Sequence, residues 1–299
     1  MRRLLAAVLA LVLSPLVAAP PATAGAVTET LTVWQWNVAG WVMNGGSATN
    51  GMVDAAVESI LYRDADVVAL NEICWGQYLE IQKRLAAAGW PESTNFYRFA
   101  TAWPKHCAGD AYGNAMFSKQ PLGATNWITL TQEPADEGET RNLLCAPVLG
   151  KRLRYCVTHL SPYASVTAQA EEVRGQVEAW EDAGETVVIA GDFNSEPGTE
   201  RMDSWYASSA DTEHNPGNRG RHRELDDRGA VCPGYGDATT YRTDDGACGT
   251  GVKIDLIFVP ENRIVGGYYG DSVGLVTSCG RPCSDHRIIY GRVTLSVGR

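Results

Sequence analysis

Several features by which enzyme classes are recognised are missing from this chain. No glycine-rich phosphate loop, dinucleotide fingerprint or nucleophile elbow occurs in its 299 residues, which leaves no basis for a kinase, an oxidoreductase or a serine hydrolase. No CxxC pair is present and the histidines do not cluster with the cysteines, so the thiolate-rich pattern of a zinc site is absent. Positive charge is scarce: 25 Lys+Arg stand against 35 Asp+Glu, a formal charge of −10. That excludes a protein held to nucleic acid by bulk charge, but not an enzyme that grips phosphate through a metal and a few cations. No internal repeat or Pro/Ser-rich linker divides the chain after its first two dozen residues. A hydrophobic content of 44% excludes a disordered polypeptide.

The opening residues have a different character. Arg2 and Arg3 precede an almost unbroken apolar run from Leu4 to Val17, and Ala22-Thr23-Ala24 places small residues where a signal peptidase reads. The run is short for the roughly 20 residues of a spanning helix. The pattern predicts export with cleavage after Ala24 and a single catalytic domain over 25–299. Loss of Arg2 and Arg3 leaves 23 basic and 35 acidic residues, a charge of −12. Eight cysteines, an even count, fit an exported and oxidised chain. Proximity suggests the pairs 74–107, 145–156, 232–248 and 279–283. A hairpin turning at Gly150-Lys151 supports the second pair, because it sets Cys145 opposite Cys156, five residues either side of the turn.

Strand and helix signals alternate along the chain. Leu31–Trp36 reads as a strand, and Val53, Ala56, Val57, Ile60 and Leu61 recur at helical spacing. Asp66–Asn71 is a short apolar run covered on both faces, followed by a helix over Gly76–Ala88 that stops at Gly89. Strands are predicted at Gly113–Phe117, Ala124–Leu130, Leu143–Leu149 and Leu153–His159, a helix at Val166–Glu181, and a buried strand at Thr186–Ala190. Residues 196–238 read as irregular, and Val252–Val259 and Arg287–Leu295 close the pattern as strands. Hairpins mixed with strand–helix units predict an α/β sandwich of mixed sheets.

Polar residues interrupt these strands in one systematic way. Asn37, Glu72, His159, Asp192, Asn194, Asp255 and the pair Asp285-His286 lie at the C-terminal end of a predicted strand or inside an apolar one. A carboxylate after Val-Val-Ala-Leu or Val-Val-Ile-Ala-Gly is costly to bury without a metal or a donor. Singly each has a plain explanation: Asn37 and Asp192-Phe193-Asn194 suit Asx turns, and a lone histidine is usually a hydrogen-bonded core residue. Together they suit hydrolysis of a phosphate ester. Carboxylate and amide oxygens favour a hard cation. A cation neutralises phosphate oxygens, and a carboxylate-held histidine takes a proton from water near neutral pH.

The segments Trp36-Asn37-Val38-Ala39-Gly40, Leu70-Asn71-Glu72, Gly113–Ser118, Thr158-His159-Leu160, Gly191-Asp192-Phe193-Asn194, Ile254–Phe258 and Ser284-Asp285-His286 resemble, in order, the motifs of the endonuclease/exonuclease/phosphatase superfamily. That resemblance implies a four-layer α/β sandwich, with two mixed β-sheets packed face to face and helices outside. It implies Glu72 as the principal ligand of Mg²⁺ (or Mn²⁺ or Ca²⁺), with Asn37 beside it and Asp285 available to the metal or its waters. Asp255 would orient His286; Asp192 or His286 would activate the attacking water. Asn194 and His159 would bind the scissile phosphate, with His159 a proton donor to the leaving group. Asn71 departs from the Gln that many relatives carry before the metal-binding Glu, a change expected to affect support of the site more than its chemistry.

A nucleic acid cut by a secreted phosphodiesterase is the first expectation; a sphingomyelinase- or phospholipase C-like activity and an inositol-phosphate type phosphomonoesterase are the alternatives. No obligate protein partner is implied. Arg219, Arg221 and Arg223, with His222 and Arg228, form the densest basic stretch and are candidates for gripping a polyanion. The plainer reading is a solvated loop balanced by Glu224, Asp226 and Asp227. Trp34, Trp36, Trp41, Trp75 and Trp103 lie near the motifs and suit either base stacking or packing.

Overall fold

The computed structural model describes residues 25–136, 138–230, 232–240, 248 and 252–299. The expected leader, 1–24, lies outside the described residues. One sheet holds β1 (Val27–Asn37), β2 (Val67–Cys74), β3 (Tyr97–Cys107), β4 (Asp110–Ser118), β11 (Ile264–Ser272) and β12 (Ile289–Val297), in the order β11-β12-β1-β2-β4-β3. The other holds β5 (Asn126–Thr129), β6 (Asn142–Pro147), β7 (Leu153–His159), β8 (Thr186–Asp192), β9 (His222–Glu224) and β10 (Asp255–Pro260), in the order β5-β6-β7-β8-β10-β9. The sheets face each other, and the helices α1 (Met52–Tyr62), α2 (Trp75–Ala87) and α3 (Val166–Asp182) lie outside. Both sheets are mixed: β1 runs parallel to β2 and β7 to β8, and the other pairings are antiparallel.

Side-chain alternation explains what fills the space between the sheets. Along β1, Leu31 and Val33 point inward, while Trp34 and Trp36 pack outward beneath the helices. The inner residues of β2, β7, β8 and β10 are Val67 and Ala69, then Leu153, Tyr155 and Val157, then Val188 and Ala190, then Ile257 and Val259. Continuing each series by two residues gives Gln35 and Asn37, Asn71, His159, Asp192 and, at the start of β10, Asp255. The parallel pairs β1/β2 and β7/β8 bring Asn37 beside Asn71 and His159 beside Asp192. Antiparallel pairing sets Asp255 directly opposite Asp192. A two-residue period therefore turns an apolar interior polar at one end of the sandwich.

The four disulfides join the expected pairs. Cys145 and Cys156 are opposed in the β6–β7 hairpin with Cα atoms 4.1 Å apart, close enough for a cross-strand bridge. Three strands escaped prediction, β3, β9 (within the stretch read as irregular) and β11, and all three are sheet edges. β3 carries Pro104, Lys105 and His106, and β11 carries Gly266-Gly267; each pairs irregularly with its one neighbour. Edge strands tolerate proline, glycine and charge that a central strand excludes, so their sequences look loop-like. β10 begins three residues later than predicted, at Asp255. The reason is local: the N–H groups of Ile254 and Asp255 both donate to Thr239 Oγ1.

Candidate active site

At the polar end, the inward side chains converge. Asn37 Nδ2 donates to Glu72 Oε1 at 3.0 Å and to Asp192 Oδ2 at 3.1 Å. Nε2 of His159 and Nε2 of His286 each stand 3.6 Å from that same Asp192 Oδ2. His286 Nδ1 meets Asp255 Oδ2 at 2.7 Å. Asp192 accepts the Asn194 N–H at 2.9 Å through Oδ1, leaving Oδ2 aimed into the cluster. The Asx turn expected from plain turn chemistry is therefore present, and it orients the functional carboxylate. A Cβ at Gly191 would lie 1.9 Å from Thr158 O, which explains the glycine before Asp192.

Alternation alone would point Glu72 away from the cleft, because Asn71 points in. A β-bulge reverses this: between Leu70↔Ala115 and Ile73↔Gly113, two residues of β2 face the single Asn114 of β4. Glu72 adopts φ 57°, and its carbonyl accepts the Gly40 N–H at 2.9 Å. Strain of this kind persists where surrounding contacts hold it, and it clusters at functional sites. Here it brings Glu72 to Asn37 and within 3.9 Å of His159. Trp36 Nε1 donates to His286 O, and Ser284 Oγ bridges Asn37 O and the His286 N–H. These bonds tie the last motif to the first.

One member of the cluster was not anticipated. Glu139, in the loop before β6, approaches His159 Nδ1 at 3.4 Å and Arg141 Nη1 at 3.0 Å. Arg141 in turn holds Asp136 through two bonds of 2.8 and 2.9 Å. His159 and His286 thus each carry a carboxylate on Nδ1 and face Asp192 with Nε2. The signal in the sequence is faint: Glu139 precedes β6 by three residues in a polar loop without a motif.

Electrostatics follow from this arrangement. Burial opposes charge on His286, but the carboxylates of Asp255 and Asp192 outweigh it and raise the imidazole to about 10. Exposed Asp285 acts in the same direction from the rim. Burial, reinforced by Asp255, pushes the Asp192 carboxyl up despite the histidines. Burial and Arg141 disfavour protonated His159, yet Glu139 and Asp192 prevail and raise it. Burial works against ionised Glu139, but His159 and Arg141 overcome it and hold its carboxyl low.

Not every expected residue joins the cluster as foreseen. Asn37 offers its N–H hydrogens to the two carboxylates, and its Oδ1 is taken by the Ala39 N–H at 3.1 Å, so the amide braces the acids rather than presenting oxygen. Asn194 Nδ2 donates to Leu160 O at 2.7 Å. Arg219, Arg221 and Arg223 pair with acids outside the cluster. Arg219 pairs with Asp203, Arg221 with Glu178 and Asp182 of α3, and Arg223 with Asp227. Arg223 sits opposite Val259, four residues along β10 from Asp255, so the stretch is balanced by local acids. Of the tryptophans, Trp34 and Trp36 are fully buried packing residues. Trp41 and Trp103 are half-buried around His106, with Trp103 stacked on its ring at 4.0 Å.

Among the described residues, no lysine or arginine pairs with Glu72, Asp192 or Asp255. Ligand atoms of Asp192, Asp255 and His286 all lie within 4.8 Å of one another. Carboxylate oxygens converging without a fixed cation suit a hard divalent ion.

A two-sheet sandwich with acids, amides and two carboxylate-held histidines at one end defines a phosphoesterase scaffold. The model of the endonuclease/exonuclease/phosphatase family matches residues 34–286, and the chain belongs to that family of metal-dependent phosphoesterases. No curated protein sequence matches the chain. Among solved structures it is similar to the human Nocturnin catalytic domain with bound sulfate anion, at 17% identity and TM-score 0.62 over 90% of this chain and 97% of that one. It is similar to D. rerio TDP2 humanized by 14 mutations, at 20% identity and TM-score 0.55 over 89% and 98%. A family protein from Beutenbergia cavernae DSM 12333 aligns at 21% identity and TM-score 0.57 over 90% and 72%. At such identities the likeness is one of fold.

Proposed function

We propose that the protein is an exported, divalent-metal-dependent phosphodiesterase that hydrolyses nucleic acid by in-line attack of water. The observation that carries the hydrolytic reading is the meeting of two imidazole Nε2 atoms on one carboxylate oxygen, each 3.6 Å from Asp192 Oδ2, beside Glu72. Glu72 would be the principal ligand of Mg²⁺ (or Mn²⁺ or Ca²⁺), with Asp192 next to it and Asp285 at the rim; the ion supplies charge neutralisation to the phosphate and the leaving oxygen. Asn37 holds both carboxylates in place. Asp192 and His286, the latter oriented by Asp255, position the water and receive its proton as one coupled unit. His159, held by Glu139, stands ready as proton donor to the leaving oxygen. The second N–H of Asn194 is available to a phosphate oxygen.

The preference for nucleic acid is supported by the half-buried wall of Trp41, Trp103 and His106. It adjoins the cluster through Thr140, whose N–H donates to Ala102 O, and through Gly138, which lies against Trp103. Such a wall suits the apolar face of a base. Export is supported by four disulfides among the described residues. No helix there is long and apolar enough to cross a membrane.

The deciding experiment offers plasmid DNA, RNA, sphingomyelin, phosphatidylcholine and an inositol phosphate to the purified protein with Mg²⁺, with and without chelator. Cleavage of DNA or RNA, lost in chelator, is expected; exclusive lipid or monoester hydrolysis overturns the substrate, and full activity in chelator overturns the metal. Mg²⁺ at 100 times its Kd should also stabilise the fold by about 2.7 kcal/mol. Glu72→Gln should lose that stabilisation, measurable as a thermal shift without turnover.

A further inference from the structure

Gln35 occupies a place where the strand pattern calls for an aliphatic residue. It follows Leu31 and Val33 on the inward face of β1 and is fully buried. Its Nε2 donates to Asn71 Oδ1 at 3.1 Å and to Asp255 Oδ1 at 2.9 Å. Among the described residues its own Oε1 has no hydrogen-bond partner. Burying an amide with an unpaired carbonyl is unfavourable, so packing does not account for this residue. The two donated bonds do.

Those bonds continue into a longer chain. Asn71 Nδ2 donates to Asn114 Oδ1 at 2.8 Å and to Thr158 O at 2.9 Å. Asn114 Nδ2 donates to Asn142 Oδ1 at 3.2 Å, and Asn142 Nδ2 to Thr140 O at 3.2 Å, next to Glu139. Asn71 Oδ1 also accepts the backbone N–H of Asp192 at 2.9 Å. Amide orientations along the chain are forced from outside it. The Asp192 N–H can only donate, so Asn71 turns its oxygen to it and its nitrogen to Asn114; an ionised Asp255 can only accept, so Gln35 offers it nitrogen. Buried amides on β1, β2, β4 and β6 thus cross between the sheets under Asp192. They connect the Asp255–His286 side to the Glu139–His159 side.

We propose that Gln35 is a positioning residue for hydrolysis, anchoring a buried amide chain that pins Asp255 and fixes the line from His286 to Asp192. The inference rests on the phosphoesterase reading of this site. Asp255 is held at both oxygens, Oδ1 by Gln35 and Oδ2 by His286 Nδ1. Releasing Oδ1 lets the carboxylate turn and carries His286 Nε2 off Asp192, and misplacement of about 1 Å is enough to slow a reaction severely. A chain that merely satisfied buried polar atoms would affect stability alone.

Gln35→Met keeps the side chain's length and removes both donors. Expected is a fall in kcat of about tenfold or more with KM changed less than about twofold. In an Asp255→Ala background the same substitution should change kcat by less than about twofold, because Gln35 acts through Asp255. Unchanged kcat in folded Gln35→Met, or the same loss in both backgrounds, overturns the proposal. Should Gln35→Met fail to fold, Asn114→Ala interrupts the chain farther out. The His286 Nδ1–H proton resonance, read by NMR in wild type and Asn114→Ala, should shift or broaden in the variant; an unaltered resonance and unaltered kcat overturn the proposal. A wild-type protein that cleaves no phosphate ester removes the functional reading, whereas the resonance still reports whether the chain positions His286.

Discussion

Two buried charge clusters share the second sheet, and they are built on opposite principles. Around β9 and the approach to β10, Lys253 Nζ meets Asp226 at 2.8 Å and Glu224 at 3.3 Å. Arg223 meets Asp227 at 2.6 Å, and Tyr268 donates to Asp227 at 2.7 Å. These acids are matched by permanent cations. At the cleft, Glu72, Asp192 and Asp255 are matched by imidazoles and amides. A carboxylate paired with Lys or Arg keeps a fixed counter-charge beside it. One paired with histidine can still exchange a proton or take up a metal. Burial is similar in the two places; the chemistry differs because one has its counter-charge built in.

The contrast breaks most visibly at Asp192. Asp192→Asn should lower kcat by on the order of 10³-fold or more, while the metal-free protein becomes no less stable, since a buried carboxyl held up by burial and Asp255 has been neutralised. Wild-type-like turnover, or a large fall in thermal midpoint, would contradict that assignment. Lys253→Met should do the reverse. Leaving Glu224 and Asp226 without their cation should cost about 3–5 kcal/mol in urea unfolding, whereas the surviving folded fraction keeps the wild-type pH profile.

Acidity separates the clusters next. His286 is raised from 6.5 to about 10 in the metal-free fold, so the native state binds the extra proton between those values. Its contribution is complete below pH 6.5 and is lost as pH climbs to 10. Glu224, raised from 4.5 to about 8 by burial despite Lys253, likewise makes the fold lose stability with rising pH, across the lower window from 4.5 to 8. Urea midpoints of chelated His286→Gln should therefore flatten only the upper window; an unchanged slope from pH 8 to 10 would refute the His286 assignment. The smallest effect is expected at the surface arginines. Arg219→Ala and Arg221→Ala should each alter kcat/KM by less than about twofold, because exposed pairs contribute little and both are already paired with acids outside the cluster. A tenfold rise in KM for either would return them to the substrate path.

Much of the site is visible before any folding because the strands are short and their alternation strict. On the inward face, Val188-Ala190-Asp192 and Leu153-Tyr155-Val157-His159 break from apolar to polar at their last residue, and in parallel strands last residues share an edge. The Cys145–Cys156 bridge is legible for the same reason, since hairpin register follows from the turn. Glu139 is invisible because nothing local marks a loop carboxylate that meets a histidine from another strand. The pairing of the arginines is invisible for a similar reason: their density along the chain says nothing of Glu178, Asp182 and Asp203, which meet them from other segments.

Local pattern was enough to specify a sandwich of mixed sheets, the Cys145–Cys156 bridge and the polar groups at the strand ends, because a two-residue repeat and a turn act over a few residues. The inward turn of Glu72, the Glu139–His159 contact and the amide bridge from Gln35 to Asp255 came from elsewhere. Each depends on a bulge or on two strands from opposite sheets meeting, and no short stretch of chain carries the information about what will lie across from it.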